Sequence, residues 1–209
     1  MNKNEVYQIC VVGDGAVGKT QIINRYVYGS YIKEYLDTNG LDYKKKKIQM
    51  DDGKIIKLKI WDTGGNERFR SVAKRSIEFA EGIILIYDVT HKDSFDNLDR
   101  WVRDIRENTS SKTPIFLAGN KKDDEECRII KKEQGEKFAK ENNLMFSECS
   151  AKTGDNIDNI FYRLVKAMMD KDPEYQKRIK EEIKKHEEEI KGKEFEEKKL
   201  NILKKYISF

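Results

Sequence analysis

The stretch Gly13-Asp14-Gly15-Ala16-Val17-Gly18-Lys19-Thr20 sets the architecture expected for this chain. It follows a short apolar run, residues 6–12, that is typical of a buried β-strand, and a helical pattern follows it. A glycine, four residues and then Gly-Lys-Thr is the spacing of a phosphate-binding loop, or P-loop. Glycines let the backbone wrap closely around an anion, because positive φ angles cost them little. The N–H groups of the turn and of the helix start then point at phosphate oxygens.

Two side chains of this loop have separate roles in this interpretation. Lys19 would reach the β- and γ-phosphates as a point charge, and the Thr20 hydroxyl would bind Mg²⁺. The alternative is a glycine turn that only joins strand to helix, but the full spacing and the strand–turn–helix context disfavour it. The loop predicts a nucleotide-binding protein without saying which nucleotide. Cofactor contacts are expected from Asp14, Gly15, Ala16, Val17, Gly18, Lys19, Thr20 and Gln21.

Composition excludes several classes of protein. The chain has 209 residues, with 42 Lys and Arg against 38 Asp and Glu, so its net charge is only +4 and its overall field is weak. That balance gives no argument for nucleic-acid binding. No apolar run approaches the roughly 20 residues that span a bilayer. Cys10, Cys127 and Cys149 are far apart and lack metal-ligand spacing, which favours a reducing, cytoplasmic location.

Apolar patterns predict strands that alternate with helices. We place strands at residues 6–12, 41–50, 54–61, 82–89, 114–119 and 144–149, and helices at residues 20–28, 93–107, 131–142 and 155–169. The turn sequence Asp51-Asp52-Gly53 predicts a hairpin between the second and third strands. We therefore expect an α/β fold of the P-loop NTPase class, with a mostly parallel six-stranded sheet and helices on both faces.

Polar motifs follow several of these strands. They are the P-loop, Asp62, Asn120-Lys121-Lys122-Asp123 and Ser150-Ala151-Lys152. Because ligands of such sheets bind beyond the carboxyl ends of the strands, these motifs are expected to converge on one rim.

Four consecutive lysines, residues 44–47, fall within the second strand. A basic patch is one interpretation, but consecutive side chains on a strand face opposite ways. A solvated edge strand that resists aggregation is the favoured alternative.

Beyond Pro173 the composition changes to mainly Lys and Glu, so we divide the chain into a domain of residues 1–172 and an extension of residues 173–209. Ile179, Ile183 and Ile190 lie near a heptad-like stripe, which predicts a long charged helix. It could be a solvated helix or a disordered tail, or a helix that packs on a partner or on the domain. A helix on a lipid surface is disfavoured, because acidic residues are nearly as common as basic ones.

The choice of nucleotide rests on Asp123. Guanine presents two adjacent N–H donors, N1 and N2, which two carboxylate oxygens can accept, whereas adenine offers no such pair. A buried carboxylate without matching donors is costly, so the pairing selects guanine. With the P-loop and Asp62-Thr63-Gly64-Gly65 in this order, Asn120–Asp123 and Ser150–Lys152 make the chain resemble the small GTPases. Within that superfamily, residues 57–63, 67–71, 83–90, 119–123 and 148–154 resemble the Rab proteins, and the likeness extends over residues 6–170.

The resemblance implies further site residues. Asn120 would tie its loop to the P-loop, the Lys121 stem would cover one face of the base, and the Ala151 N–H would contact the guanine oxygen, with Ser150 and Lys152 in the same loop. Tyr31 aligns with the aromatic residue on the guanine edge. Thr38 aligns with the switch threonine that binds Mg²⁺ in the triphosphate state, Asp62 would hold Mg²⁺ through a water, and the Gly65 N–H would contact the γ-phosphate. The implied metal site is thus Thr20, Thr38 and Asp62.

Three departures from the Rab pattern are visible. Asn66 stands where the family usually has the glutamine that orients the attacking water, so its amide falls about one C–C bond short. Asn39 and Gly64 replace the usual residues on surfaces that contact partners. The chain ends Lys-Lys-Tyr-Ile-Ser-Phe without a cysteine, so we expect no lipid anchor from this sequence.

These features predict a GTP/GDP switch with slow GTP hydrolysis and a Rab-like role in vesicle traffic. The catalytic set would be Lys19, Gly65 and Asn66, and the cofactors Mg²⁺ and GTP or GDP. Effectors, exchange factors and GTPase-activating proteins would bind Tyr35–Leu41 and Gly64–Arg75, and the extension could bind a helical partner. The alternative is a GTP-locked binding module that has lost hydrolysis and works through its switch surface and C-terminal helix.

Overall fold

A computed structural model of the chain describes residues 6–31, 41–63, 70–173, 176, 177 and 181, without the side chains of residues 70–73. The chain divides into two compact units, Met1–Met168 and Met169–Phe209. The first unit contains the sheet and the candidate site. The predicted C-terminal helix falls almost entirely outside the described residues.

Six strands and six helices are present in the described part of the chain. The strands are β1 (Val6–Gly13), β2 (Leu41–Gln49), β3 (Ile55–Thr63), β4 (Gly82–Asp88), β5 (Ile115–Asn120) and β6 (Met145–Glu148). The helices are α1 (Lys19–Tyr28), α2 (Arg70–Glu78), α3 (Lys92–Asp96), α4 (Leu98–Asn108), α5 (Lys132–Glu141) and α6 (Ile157–Met169).

All six strands form one sheet in the order β2-β3-β1-β4-β5-β6. Only the β2–β3 hairpin is antiparallel, and the remaining neighbours are parallel. The predicted α/β fold with a mostly parallel six-stranded sheet is confirmed. Each parallel pair needs a crossover, and the intervening helices supply it.

Helices pack on both faces of the sheet, which explains the composition of its centre. Every residue of β4 and β5 is buried, as expected for strands covered on two sides. On one face lie α1 and α6, whose Tyr26 and Phe161 rings stack with their centroids 3.7 Å apart. On the other face α2, α4 and α5 enclose a core that contains Ile77, Trp101 and Ala139.

Two local differences from the sequence prediction have physical reasons. The helix predicted at residues 93–107 is divided at Asn97, whose side-chain amide donates to the Asp14 carboxylate 2.7 Å away. The apolar stripe continues through the break, so periodicity cannot reveal it. Helix α2 was not predicted, because charged residues interrupt its apolar pattern.

Candidate nucleotide-binding site

The P-loop joins β1 to α1 and is held tightly by its neighbours. Gly13 has a φ of 141°, and a Cβ atom there would lie 2.2 Å from the Ile86 carbonyl oxygen of β4. Gly18 caps the start of α1 with a φ of 96°, and a Cβ there would lie 2.3 Å from the Asn120 amide nitrogen. A side chain at either position would strain the backbone and collide with it or with Asn120. Both glycines are therefore required by conformation and by space.

Lys19 lies inside the loop that precedes it. Its Nζ donates to the carbonyl oxygens of Gly13 at 2.9 Å and Asp14 at 2.6 Å, and the side chain is buried. Burial lowers the pKa of Lys19 to about 8, and the nearby carboxylates of Asp62 and Asp14 only partly oppose that shift. A buried ammonium without an anionic partner is costly, so this site favours a ligand that carries negative charge.

Thr20 and Asp62 come together although 42 positions separate them in the chain. The Thr20 side chain hydrogen-bonds the Asp62 carboxylate. Burial raises the pKa of Asp62 above its ordinary value, and the Thr20 bond and the Lys19 charge only partly oppose that shift. The Asp62 Oδ1 atom is buried and has no hydrogen-bond partner in the described part of the chain.

A hydroxyl beside a carboxylate with a free oxygen fits Mg²⁺, which prefers oxygen ligands and keeps several waters. Within the described ranges no group of three or more His, Cys, Asp or Glu side chains could hold a metal. A magnesium ion at Thr20 and Asp62 would therefore draw further oxygen ligands from outside these two side chains, such as phosphate oxygens and water. This ligand set suits an ion that arrives with a nucleotide.

Asn120 connects the P-loop with the loop after β6. Its Nδ2 donates to the Val17 carbonyl at 2.8 Å, and its Oδ1 accepts the Ala151 N–H at 3.1 Å. The side chain is buried, so both bonds are protected from water. One amide thus fixes the distance between the expected phosphate and base subsites.

Asp123 lies at the edge of the same arrangement. Its Oδ1 accepts the Ser150 hydroxyl at 2.5 Å, and its Oδ2 lies 3.5 Å from the Lys152 ammonium. Burial acts to raise the pKa of Asp123, but the Ser150 bond and Lys152 outweigh it, so the net shift is downward. The carboxylate is therefore ionised at neutral pH and can accept two N–H donors.

Lys121 has a positive φ of 66°, which turns the chain between Asn120 and Asp123. Its ammonium pairs with the Asp88 carboxylate at the end of β4, with 2.5 Å between the two atoms. Asp88 in turn accepts the Thr90 N–H and hydroxyl. The lysine stem is thereby held across the rim of the sheet.

Two functional contacts were not anticipated from the sequence. The Arg25 guanidinium of α1 donates to the Ala151 carbonyl at 2.9 Å, to the Lys152 carbonyl at 2.6 Å and to the Gly29 carbonyl at 2.7 Å. It joins α1 to the Ser150–Lys152 loop. No local sequence pattern marks Arg25 as a site residue, because Ala151 and Lys152 lie more than 120 positions away in the chain.

The second unanticipated contact concerns Asp14. Its carboxylate accepts the Trp101 indole N–H and the Asn97 amide, each at 2.7 Å. These bonds hold the P-loop against α4. The expected contribution of Asp14 to phosphate binding therefore falls to its backbone.

The remaining predicted site residues divide into two groups. Gly15, Ala16, Val17 and Gln21 lie in the loop and the first turn of α1, and Tyr31 is exposed at the end of a described segment. Thr38, Gly65 and Asn66 lie outside the described residues, so their geometry remains a sequence prediction.

The P-loop, the Thr20–Asp62 pair and the Asn120–Asp123 loop meet at the carboxyl ends of β1, β3 and β5, beside the loop after β6. Fold and site define a P-loop nucleotide-binding protein. A model of the Ras family matches residues 8–170. The chain belongs to the Ras family and is a Rab-like small GTPase.

Similar proteins support this assignment over most of their length. The chain is 40% identical over 169 residues to "Ras-related protein Rab-8A" of Pongo abelii, which covers 79% of this chain and 81% of that protein. It is 40% identical over 166 residues to "Ras-related protein SEC4" of Candida albicans (strain WO-1), 79% of each chain. It is 41% identical over 163 residues to "Ras-related protein Rab-26" of Mus musculus, 78% of this chain and 62% of that protein.

Helices long and apolar enough to cross a bilayer are absent from the described part of the chain.

Proposed function

We propose that this GTPase is a GTP/GDP switch with slow intrinsic hydrolysis that acts in vesicle traffic in the cytoplasm. The observation that supports the proposal is the Asn120 side chain, which donates to the Val17 carbonyl of the P-loop and accepts the Ala151 N–H of the loop after β6. The likeness to Rab proteins supports the role in traffic. Effectors and regulators would bind residues 35–41 and 64–75.

In this proposal each group of the site has a distinct role. Lys19 donates to the β- and γ-phosphates in place of the two loop carbonyls, and the backbone N–H groups of residues 15–20 cradle the phosphates. Mg²⁺, held by Thr20 and Thr38 directly and by Asp62 through water, would neutralise phosphate charge. Thr38 and the Gly65 N–H would contact the γ-phosphate, so its loss would release both loops.

Recognition of the base would fall to the loops after β5 and β6. Asp123 accepts the N1–H and N2–H donors of guanine, while the Ala151 N–H, now bonded to Asn120, donates to the guanine oxygen. The Lys121 stem covers one face of the ring, and Tyr31 packs at its edge. Ser150 and Lys152 hold the Asp123 carboxylate in position.

Base selection can be tested by comparing GDP with IDP, which lacks the 2-amino group. Asp123 accepts two donors from guanine but one from hypoxanthine, so the wild type should prefer GDP by on the order of tenfold to a hundredfold. Asp123→Asn should remove most of that preference. Asp155→Asn is the matched control, because the Asp155 side chain is half-exposed and pairs with Lys122. An unchanged preference in Asp123→Asn would refute the assignment.

Slow hydrolysis follows from Asn66, whose amide is one methylene shorter than that of glutamine. A positional error of that size costs on the order of a hundredfold in a chemical step. Single-turnover hydrolysis should therefore be slow in the wild type and faster in Asn66→Gln. Equal rates in the two proteins would contradict the proposal.

Asn66 also favours one alternative, a GTP-locked binding module that acts through the switch surface and the C-terminal residues. The nucleotide released when the purified protein is denatured separates the two. Mainly GDP supports the switch, mainly GTP supports the locked module, and no nucleotide, with none bound after GTP and Mg²⁺ are added, contradicts both.

A further inference from the structure

One side chain of the P-loop has the same sign of charge as the phosphates that the loop is proposed to bind. Asp14 follows Gly13 directly and precedes Gly15 and Ala16, which are exposed. Like charges repel, and they repel more strongly where protein excludes part of the water. A carboxylate in this loop therefore opposes phosphate binding unless other residues hold it in another direction.

Two donors from α4 and its first cap hold both oxygens of the Asp14 carboxylate. The Trp101 indole N–H donates to Oδ1, and the Asn97 side-chain amide donates to Oδ2, each at 2.7 Å. Hydrogen bonds to a charged acceptor are roughly twice as strong as those between neutral groups. The carboxylate is therefore fixed toward α4 in a defined direction.

Helix geometry presents these two donors together. Asn97 and Trp101 are four positions apart, and the Trp101 backbone N–H donates to the Asn97 carbonyl at 3.2 Å, so their side chains lie on one face of the helix start. The Trp101 ring is only 6% exposed and belongs to the same buried cluster as Leu98 and Ile105. Core packing therefore fixes the position of the indole N–H.

The P-loop is also held on either side of Asp14. Gly13 lies against β4, where a Cβ atom would be 2.2 Å from the Ile86 carbonyl oxygen. The Val17 carbonyl accepts the Asn120 amide at 2.8 Å. The two exposed residues between Asp14 and Val17, whose N–H groups are expected to meet phosphate, are thus fixed at both ends. One of those ends depends on α4.

The contact with α4 gains importance when a nucleotide is bound. In the structure the Lys19 ammonium also contacts Asp14, because it donates to the Asp14 carbonyl oxygen at 2.6 Å. In the proposed function Lys19 donates to the β- and γ-phosphates instead, so that bond is lost. The bonds from Asn97 and Trp101 use other donors and can remain.

We propose that Asn97 and Trp101 are positioning residues for phosphate binding, which act through the Asp14 carboxylate and slow the release of GDP. We call these three residues the α4 brace. The inference rests on the proposed function and deepens it, because it assigns the contact that controls how long the nucleotide stays bound. Without the brace the carboxylate can turn toward the phosphates, and the P-loop loses its contact with α4. Both changes speed release.

Release of a fluorescent GDP analogue from the full chain tests the proposal, with Mg²⁺ present and excess unlabelled GDP added. Trp101→Phe keeps an aromatic ring but removes the N–H, and Asn97→Asp places a second carboxylate against the first. Each should speed release about tenfold, because a bond to a charged group is lost or becomes repulsive. Asn97 is exposed, so Asn97→Asp tests the proposal even if Trp101→Phe does not fold.

An exchange of the two groups separates positioning from a merely structural role. Asn97→Asp combined with Asp14→Asn restores the hydrogen bond with donor and acceptor reversed, so release should return to within about threefold of the wild-type rate. Ile105→Val is the matched control, because it removes a methyl group from the buried side of the same helix. It should lower stability but change release by less than about twofold.

Three results would overturn the proposal: a wild-type release rate in either single variant, equal acceleration in Ile105→Val, or no recovery in the combined variant. Urea unfolding of the same proteins shows whether a change in release follows a loss of stability instead. A wild type that retains no GDP would contradict the proposed function, and this inference with it. GDP retained by every variant at the wild-type rate would contradict the inference alone.

Discussion

Arg25 shows how one side chain can connect two parts of a site. Its guanidinium binds the carbonyls of Ala151 and Lys152, so it positions the loop whose Ala151 N–H would meet the base. Charge-assisted hydrogen bonds are worth about 1.5–3 kcal/mol. We expect Arg25→Gln to speed GDP release on the order of tenfold, measured with a fluorescent GDP analogue.

Arg163→Gln is the control for that experiment, since Arg163 makes a 3.4 Å bond to the Phe146 carbonyl on the exposed surface. It should leave GDP release unchanged. A structural loss alone would lower stability without changing nucleotide selectivity. The Arg25 variant should therefore also lose more affinity for GDP than for 2-aminopurine riboside diphosphate, which lacks the guanine oxygen. Equal losses would contradict the positioning role.

Lys19 predicts a pH dependence of GDP binding. In the free protein its pKa is lowered to about 8, whereas phosphates beside the ammonium would raise it. Binding then takes up a proton above pH 8, so affinity falls as pH rises. From pH 7 to pH 8.5 we expect a fall of about fourfold. Calorimetry at pH 8.5 in two buffers of different ionisation enthalpy should show the proton uptake, and its absence would contradict the assignment.

For single residues, the sequence predicted which residue types form the site better than it predicted which partners their side chains contact. Motif spacing predicted the roles of Lys19 and Thr20, and the order of several motifs together predicted that of Asp123, because such chemistry requires fixed positions in the chain. Spacing did not show that the Asp14 carboxylate binds Trp101, or that Lys121 pairs with Asp88. Those partners come from other strands and helices, and no local pattern records them.

In the hairpin of β2 and β3, we expect one charge reversal to raise the free energy of unfolding. Lys45→Glu replaces a like-charged cross-strand pair with an attractive one, because Lys59 lies directly opposite. We expect the free energy of unfolding to rise by about 0.2–1 kcal/mol in urea at low salt. Lys137→Glu should have the opposite sign, because it breaks a pair with Glu141 and creates repulsion on α5. A loss of stability in Lys45→Glu would contradict this account.

At Gly135 in helix α5, we expect side-chain packing to outweigh helix propensity. An alanine at Gly135 would improve propensity by about 1 kcal/mol. Its Cβ, however, would lie 2.4 Å from the Tyr87 hydroxyl oxygen and 2.7 Å from the Phe146 ring. Overpacking costs about 1–3 kcal/mol, so Gly135→Ala should lower the free energy of unfolding. Glu136→Ala on the exposed side of the helix is the control, and a stabilised Gly135→Ala would refute the packing argument.

Strands were easier to predict than helix details. Continuous apolar runs identified β4 and β5, and alternation identified β3, because burial on one or two faces leaves a direct record in the sequence. The break at Asn97 and the whole of α2 were missed. Tertiary hydrogen bonds and charged surface residues determine those features, and neither changes the apolar period.

The whole first unit should respond to its ligand. The site joins the ends of strands across the sheet, so GDP with Mg²⁺ should bind only the folded form. At a free GDP concentration a thousandfold above Kd, the gain is about 4.1 kcal/mol. For a domain of this size we expect the Tm to fall by about 8–16 °C when nucleotide is removed with EDTA and phosphatase. Calorimetry would measure it.

ADP with Mg²⁺ serves as the control for ligand removal, because adenine offers no donor pair to Asp123. It should restore far less of the lost stability than GDP at the same concentration. A Tm that is insensitive to both nucleotides would contradict the assigned site.

The three cysteines differ in exposure, which allows selective labelling of the unmodified protein. Cys10 and Cys149 are fully buried, and burial raises the pKa of both thiols, to about 12 for Cys10. Cys127 alone is exposed, four positions after Asp123. We therefore expect a maleimide dye added to the unmodified protein to attach at Cys127, beside the loop proposed to recognise the base. Its emission can then follow nucleotide arrival in real time, without any engineered cysteine.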